Sequence, residues 1–283
     1  MQKSAFGLKY KIICVLTFIA IVSCESSGID SLSETDVSSS SDIDVSDSRL
    51  GRGHALSFNG STDYIVVPHH ESLNLTDGFT ITAWIHINEY VEWASIVAKG
   101  GVPGDLDGTN NYSIQQSGPD GGGLPVYQTE FGHLRFTGAG QAILATSPES
   151  STVLSLKQWY FITAIYDGTF LRYYVNGRPD GVHEIGGPLI PNKDSLYIAL
   201  DPPGADEYWN GTIDELKIWN KPLNKGQLRA AMNRSATPMR HALVGYWPFN
   251  EGSGTVAKDH SRFRNHGTLV GSPTWVAGAP ARF

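Results

Sequence analysis

Nine residues, FTITAWIHI at 79–87, alternate without a break. Phe79, Ile81, Ala83, Ile85 and Ile87 fall on one side, and Thr80, Thr82, Trp84 and His86 on the other. A strand sends successive side chains to opposite faces, so this period of two marks a strand with one face against a core. A helix would scatter the same five apolar residues around its circumference. The rest of the chain from Gly53 follows the same pattern. WYFITAIYD (159–167) and FLRYYVN (170–176) flank Asp167-Gly168-Thr169, and the second runs into Asn176-Gly177, a strong hairpin signal. LYIAL (196–200) and the opening stretch supply further strands. Glycine and proline punctuate the short segments at the intervals of a sandwich. One helix stands out, PLNKGQLRAAMN at 222–233, with Pro222 or Asn224 near its start. The pattern predicts an all-β fold, two antiparallel sheets packed face to face, with one short helix over one end. The longest turn-rich stretch, 100–128, is the length of loop that is usually functional or disordered.

The first 52 residues are of another kind. Lys3, Lys9 and Lys11 precede an apolar run from Ile12 to Val22. That run is about half of the ~20 residues a spanning helix needs, which makes residues 1–23 a secretory signal. Ile21-Val22-Ser23-Cys24 resembles a bacterial lipobox. The resemblance implies cleavage before Cys24 and acylation of its thiol and new amino terminus, palmitate being one such acyl group. The chain would then be a lipoprotein of the bacterial cell envelope, anchored in the membrane by lipid alone and facing outward. The alternative is an ordinary signal followed by a chance cysteine. Cys14, the other cysteine, lies inside the signal, so the folded part has no disulfide and must rest on its core. Residues 24–52, rich in Ser, Asp and Glu and without an aromatic side chain, cannot bury enough apolar surface to fold and read as an extended tether. The formal net charge is −7, and loss of the three signal lysines makes the mature chain more acidic still. With no basic patch in view, nucleic acid is not an expected partner.

ALSFNGSTDYIVVP (55–68), LNLTDGFTITAWIHI (73–87), IVAKG (96–100), LSLKQWYFITAIYDGTFLRYYVNG (154–177) and GTIDELKIWNKPLNKGQL (211–228) follow one another in order. Together they resemble a laminin-G-like, concanavalin A-like domain of the jelly-roll type found in bacterial surface proteins. The resemblance covers about 55–232 and implies a domain over 53–283, a structural calcium ion, and a role in binding glycans or proteins. LVGYWPFNEGSGTVAKDHSRFRNHGTLVGSPTWV (243–276) resembles the segment that usually opens such a domain, yet here it comes last. An unpaired strand exposing Tyr246, Trp247 and Phe249 would invite aggregation. The expectation is therefore that it folds back and closes the same sandwich; a truncated second domain is the alternative.

Catalysis on this kind of fold needs paired carboxylates. Relatives that cleave β-glucans carry Glu-x-Asp-x-x-Glu on one strand, and no such motif occurs here. Alginate-lyase relatives use Arg, Gln, His and Tyr on one sheet; Arg135, Gln115, His133 and Tyr127 lack that family's spacing. The expected function is non-catalytic binding, with carbohydrate first and a surface protein second; a divergent lyase or hydrolase is the remaining alternative. In TIDELKIW, strand alternation puts Asp214 on the side of Leu216 and Ile218, where a bare carboxylate is costly. The family resemblance places Asp63 and Asp214 beside a calcium ion, with oxygens from Asn59 and Gly60 completing the shell. The alternative is that Asp214 simply accepts backbone N–H groups. Sugars offer apolar C–H faces and polar edges, so aromatic platforms near loops are the candidate ligand residues: Tyr90, Trp93, Tyr112, Tyr127, Tyr208 and Trp209.

Overall fold

The structure is a computed structural model, and it describes residues 51–101, 110–117, 132–138, 148–202, 206–233 and 237–280. Strands β1 (Gly51–Asn59), β2 (Tyr64–Val67), β3 (Phe79–Ile87), β4 (Ser95–Gly100), β5 (Asn110–Gln116) and β6 (Leu134–Thr137) come first. Then follow β7 (Trp159–Tyr166), β8 (Phe170–Val175), β9 (Arg178–Glu184), β10 (Leu196–Ile198) and β11 (Asn210–Trp219). Helix α1 (Lys225–Ala231) precedes β12 (Leu243–Trp247), β13 (Val256–Ala257), β14 (Gly267–Val270) and β15 (Thr274–Gly278).

The strands form two antiparallel sheets. Sheet I has the order β15-β1-β11-β3-β7-β8-β9, with β12 also paired to β11; sheet II has the order β13-β14-β2-β10-β4-β5-β6. The alternating set of β3 behaves as its sequence demands: Phe79, Ile81, Ala83, Ile85 and Ile87 are all fully buried in the core between the sheets. Ile65 and Val67 of β2, Leu196 and Ile198 of β10, and Ile114 of β5 meet them from sheet II. The hairpin signal is also expressed: Asn176 and Gly177 join β8 to β9 with φ of 51° and 72°, the left-handed pair that such a turn requires. Asn224 caps α1, its side chain accepting from Gln227 N while Gln227 returns a bond to the Asn224 backbone.

The last four strands enter both sheets. β15 pairs with β1, β12 with β11, and β14 with β2. Trp247 and Phe249 of this segment are fully buried in the common core, and Phe263, Leu269 and Trp275 pack against it.

The reading of Asp214 on the core face is overturned. In β11, Asp214 lies opposite Trp84 and Lys217 opposite Thr82, so two residues of β11, Glu215 and Leu216, face Ala83 alone. This bulge, with Glu215 at φ 52°, switches the alternation. Ile213, Leu216 and Ile218 point to the core, and Asp214 stands on the outer side with Trp84. β1 uses the edge of β11 before the bulge, at Asn210–Ile213, and β12 uses the same edge after it. The outer face here lies under α1. Trp84 and Phe161, with ring centroids 5.2 Å apart, pack with Leu228 of the helix. Beside them the buried Lys217 ammonium sits 2.9 Å from Glu215 Oε2, and Tyr246 donates to the same oxygen at 2.9 Å.

Candidate functional site

The outer face of sheet II carries the grouped aromatic and polar residues. Tyr64 points out because Ile65 and Val67 point in; Tyr197 does so because Leu196 and Ile198 point in. Tyr197 pairs across to Ala98 on one side and Val66 on the other, so a small neighbour leaves room for the ring. The rings of Tyr197 and Tyr208 each lie 6.2 Å from that of Tyr64, and both pairs are tilted. Further along the sheet, Arg135 of β6 lies opposite Gln115 of β5. The Arg135 guanidinium stacks over Trp93, 4.4 Å from the ring centroid. Trp93 itself is held at φ 60°, left-handed backbone that a bulky residue adopts only under constraint. Between the two aromatic groups runs a hydrogen-bonded row, buried at Ser95, Ser113 and Gln115: Ser95 to Ser113 at 2.6 Å, Ser113 to Gln115 at 3.3 Å, Thr137 to Gln115 at 3.5 Å.

A pair of carboxylates adjoins this face. Leu200 and Tyr208 form a β-bridge, and Asp201 N donates to Glu207 O at 3.1 Å, so Asp201 and Glu207 lie opposite each other on a short hairpin. Burial pushes Asp201 up to about 6, opposed by the Asn110 amide that donates to it. Burial also pushes Glu207 up to about 7, helped by the charges of Asp201 and Glu92. Two acids whose environments hold protons near neutrality, facing each other, are a recurrent arrangement in acid–base sites. The sequence signal was DPPGADE at 201–207, with a carboxylate at each end; a pattern of carboxylates at strand spacing does not include it.

Of the six aromatic residues expected at a ligand site, the structure brings two into it: Tyr208 joins Tyr64 and Tyr197, and Trp93 joins Arg135. Tyr90 is tied down instead, its hydroxyl donating to Leu154 O at 2.6 Å. Tyr112 is fully buried and stacked on Phe79, and burial drives its hydroxyl well above the usual tyrosine range. Trp209 is likewise fully buried. Both are corrected to core residues. Tyr127 and Cys24 lie outside the described residues. Arg135 and Gln115 are neighbours although their spacing gave no hint of it, and His133 is buried with Nδ1 2.8 Å from Ser150 O.

Asp63, Asn59 and Gly60 share one turn, but their oxygens are engaged with donors. Asn59 Oδ1 accepts from Ser61, Thr62 and Asp63 N. Asp63 Oδ2 accepts from Asn59 N at 3.2 Å, and Oδ1 from Ser272 N at 2.8 Å. The last bond pins the β14–β15 turn, where Gly271 has φ 79° and a Cβ would meet Asp63 Oδ1 at 2.4 Å. Asp214 lies elsewhere, four residues beyond the Asn59–Asn210 pairing, and accepts from Ala279 N at 2.8 Å. A calcium shell needs six to eight oxygens pointed at one centre, whereas here they point at N–H groups in two separate places. The four residues do not fit one shared ion, and among the described residues no cluster of three or more His, Cys, Asp or Glu side chains is placed to hold a metal.

Comparison with known proteins agrees with this architecture. A candidate carbohydrate binding protein from Bacteroides ovatus superposes with a TM-score of 0.58 at 21% identity, over 82% of this chain and 61% of that one. Domain 4 of an extracellular arabinanase from Geobacillus stearothermophilus, solved with arabinotriose, gives a TM-score of 0.43 at 17% identity, over 62% of this chain and 75% of that one. An adhesion G-protein coupled receptor V1 of Danio rerio is 22% identical over 61% of this chain, which spans 3% of the receptor's length. The family model for concanavalin A-like lectin/glucanases matches residues 59–229. With more than half of its length under that match and the two-sheet sandwich in place, the chain belongs to the concanavalin A-like lectin/glucanases superfamily.

Proposed function

We propose that this chain is a non-catalytic carbohydrate-binding module, displayed at a bacterial envelope surface by lipid on Cys24 and an acidic tether. The observation that carries the reading is the outer face of sheet II, where Tyr64, Tyr197 and Tyr208 and the Trp93–Arg135 stack stand on either side of a buried polar row that holds the strands between them. Aromatic planes take the apolar face of a sugar ring, and the guanidinium takes its hydroxyl edge. The Bacteroides ovatus neighbour is consistent with such a role. The test is binding of the purified chain to a broad glycan array. Binding to one sugar family, weakened at least tenfold by Trp93→Ala and by Tyr208→Ala at unchanged melting temperature, is expected. A blank array, or cell-surface binding that free oligosaccharide does not compete, would move the reading to a protein partner. The anchor is checked separately: Cys24→Ala should abolish labelling by a fatty-acid analogue.

One observation favours a second reading. Directly opposed residues on an antiparallel pair have Cβ atoms about 4.5–5.5 Å apart, and retaining glycosidases hold their carboxyl groups about 5–5.5 Å apart. Asp201 and Glu207 occupy such positions. Release of reducing ends from any array hit, lost in Glu207→Gln, would make the chain a glycoside hydrolase; binding without release keeps it a binding module.

A further inference from the structure

Outside the residues matched by the family model, the segment KDHSRFRNH at 258–266 alternates in its own way. Lys258, His260, Arg262, Arg264 and His266 are exposed, while Asp259, Ser261 and Asn265 between them are buried. The buried set is a rigid support. Asp259 Oδ1 accepts from Tyr246 N at 2.8 Å and Ser261 N at 2.7 Å. Asp259 Oδ2 accepts from Ser261 Oγ at 2.6 Å and Asn265 N at 2.7 Å. His266 Nδ1 accepts from Asp259 N, so that ring belongs to the support.

What the support presents is a cleft of about 430 Å³, lined by Thr237, Arg240, Leu243, Tyr246, His260, Ser261 and Arg262. No carboxylate is among the described residues that line it. Arg240 donates to Thr237 Oγ1, and Arg262 stacks on Phe263 at 4.6 Å; neither appears among the ion pairs of the described residues. Arg240 follows Met239, a left-handed residue at φ 48° that starts the turn projecting it. Tyr246 at the base is fixed by its bond to Glu215 and by the Lys217 ammonium under its ring at 4.8 Å. Net charge over the whole chain averages this local basic surface away, which is why no basic patch was expected.

We propose that this cleft is a second binding site, for an anionic group carried on a saccharide: a sulfate or a carboxylate. Two fixed guanidinium groups, which match such oxyanions with paired donors, stand beside an aromatic floor in a volume within the range of small-ligand sites. Nucleic acid is disfavoured because the chain as a whole is acidic, with a formal net charge of −7. A lipid surface is disfavoured because none of the four exposed large apolar side chains among the described residues lines the cleft.

The experiment is calorimetric titration of the full chain with four probes of matched length or charge: a sulfated hexasaccharide, an oligogalacturonate, cellohexaose and a thymidine oligonucleotide, with phosphatidylglycerol vesicles as a fifth. One or both charged saccharides should bind at least tenfold more tightly than cellohexaose and weaken as salt is raised; which of the two binds identifies sulfate or carboxylate. Arg240→Ala with Arg262→Ala should remove that preference, and so should Arg262→Glu alone, a change at an exposed side chain outside the hydrogen bonds of the support. Trp93→Ala should weaken the sheet II face yet leave the salt-dependent binding of the charged saccharide in place, which separates the two sites. Equal binding of the neutral sugar, tighter binding of the oligonucleotide or vesicles, or arginine variants that bind as well as the parent would overturn the proposal.

Discussion

Replacing Asp259 by alanine is the substitution whose cost can be worked out most directly. The carboxylate is fully buried and accepts four hydrogen bonds, three of them from the backbone N–H groups of Tyr246, Ser261 and Asn265. Alanine leaves those three donors without an acceptor, at about 1–3 kcal/mol each. Release of a desolvated charge offsets part of this. A net loss of about 4 kcal/mol is expected, at the upper end of what point substitutions do. For a domain of roughly this size that corresponds to a fall in melting temperature of about 8–16 °C. Asp259→Asn keeps one accepting oxygen and should fall between alanine and the parent. Urea unfolding followed by tryptophan fluorescence measures both, because Trp247, one residue from Tyr246 and bonded through Nε1 to Asn265 O, reports on the same segment. A loss below about 1 kcal/mol for the alanine variant would refute the idea that this carboxylate organises 258–266, and would weaken the preorganised cleft with it.

Stability should also depend on pH through Asp201, whose carboxyl is held at about 6 in the folded chain against 3.8 when free. The folded state then holds a proton that the unfolded state has released, so stability is full below pH 4 and falls as pH rises through 6, by about 3 kcal/mol from this group. Asp201→Asn should flatten that slope in urea midpoints taken from pH 4 to 8; an unchanged slope would count against it. Chelation by EDTA should leave the melting temperature where it was, since Asp63 and Asp214 are bonded to backbone N–H groups; a fall of several degrees that calcium restores would reverse the fit argued above. Ending the chain near residue 238 should abolish cooperative unfolding, because it strips partners from β1, β2 and β11 together; a sharp two-state transition in the shortened chain would contradict this.

The sandwich was readable wherever one strand face met the core, because burial writes period two into the sequence. FTITAWIHI and the Asn176-Gly177 hairpin translate residue by residue. Asp214 was misplaced because a bulge costs one residue and leaves no mark in a string of letters: Glu215 is no glycine, yet it takes the left-handed turn. Tyr112 and Trp209 were misjudged because an aromatic residue near a loop looks the same whether it faces water or the core; only the partner strand decides. The Asp201–Glu207 pair depends on the bridge between Leu200 and Tyr208, and the Trp93–Arg135 stack on residues from distant parts of the chain. Local spacing carries neither.

β1 is flanked by β11 and β15, so the first strand to be made waits for the last. Its pairing with β15 spans on the order of 200 residues, and at about 5–20 residues per second synthesis alone imposes a delay of roughly 10–40 s. Throughout that interval the β1 edge is open to chaperones, proteases and other nascent copies. If the Ser- and Asp-rich segment ahead of it is the tether proposed above, selection on that segment would act on survival during biogenesis as much as on reach in the finished molecule.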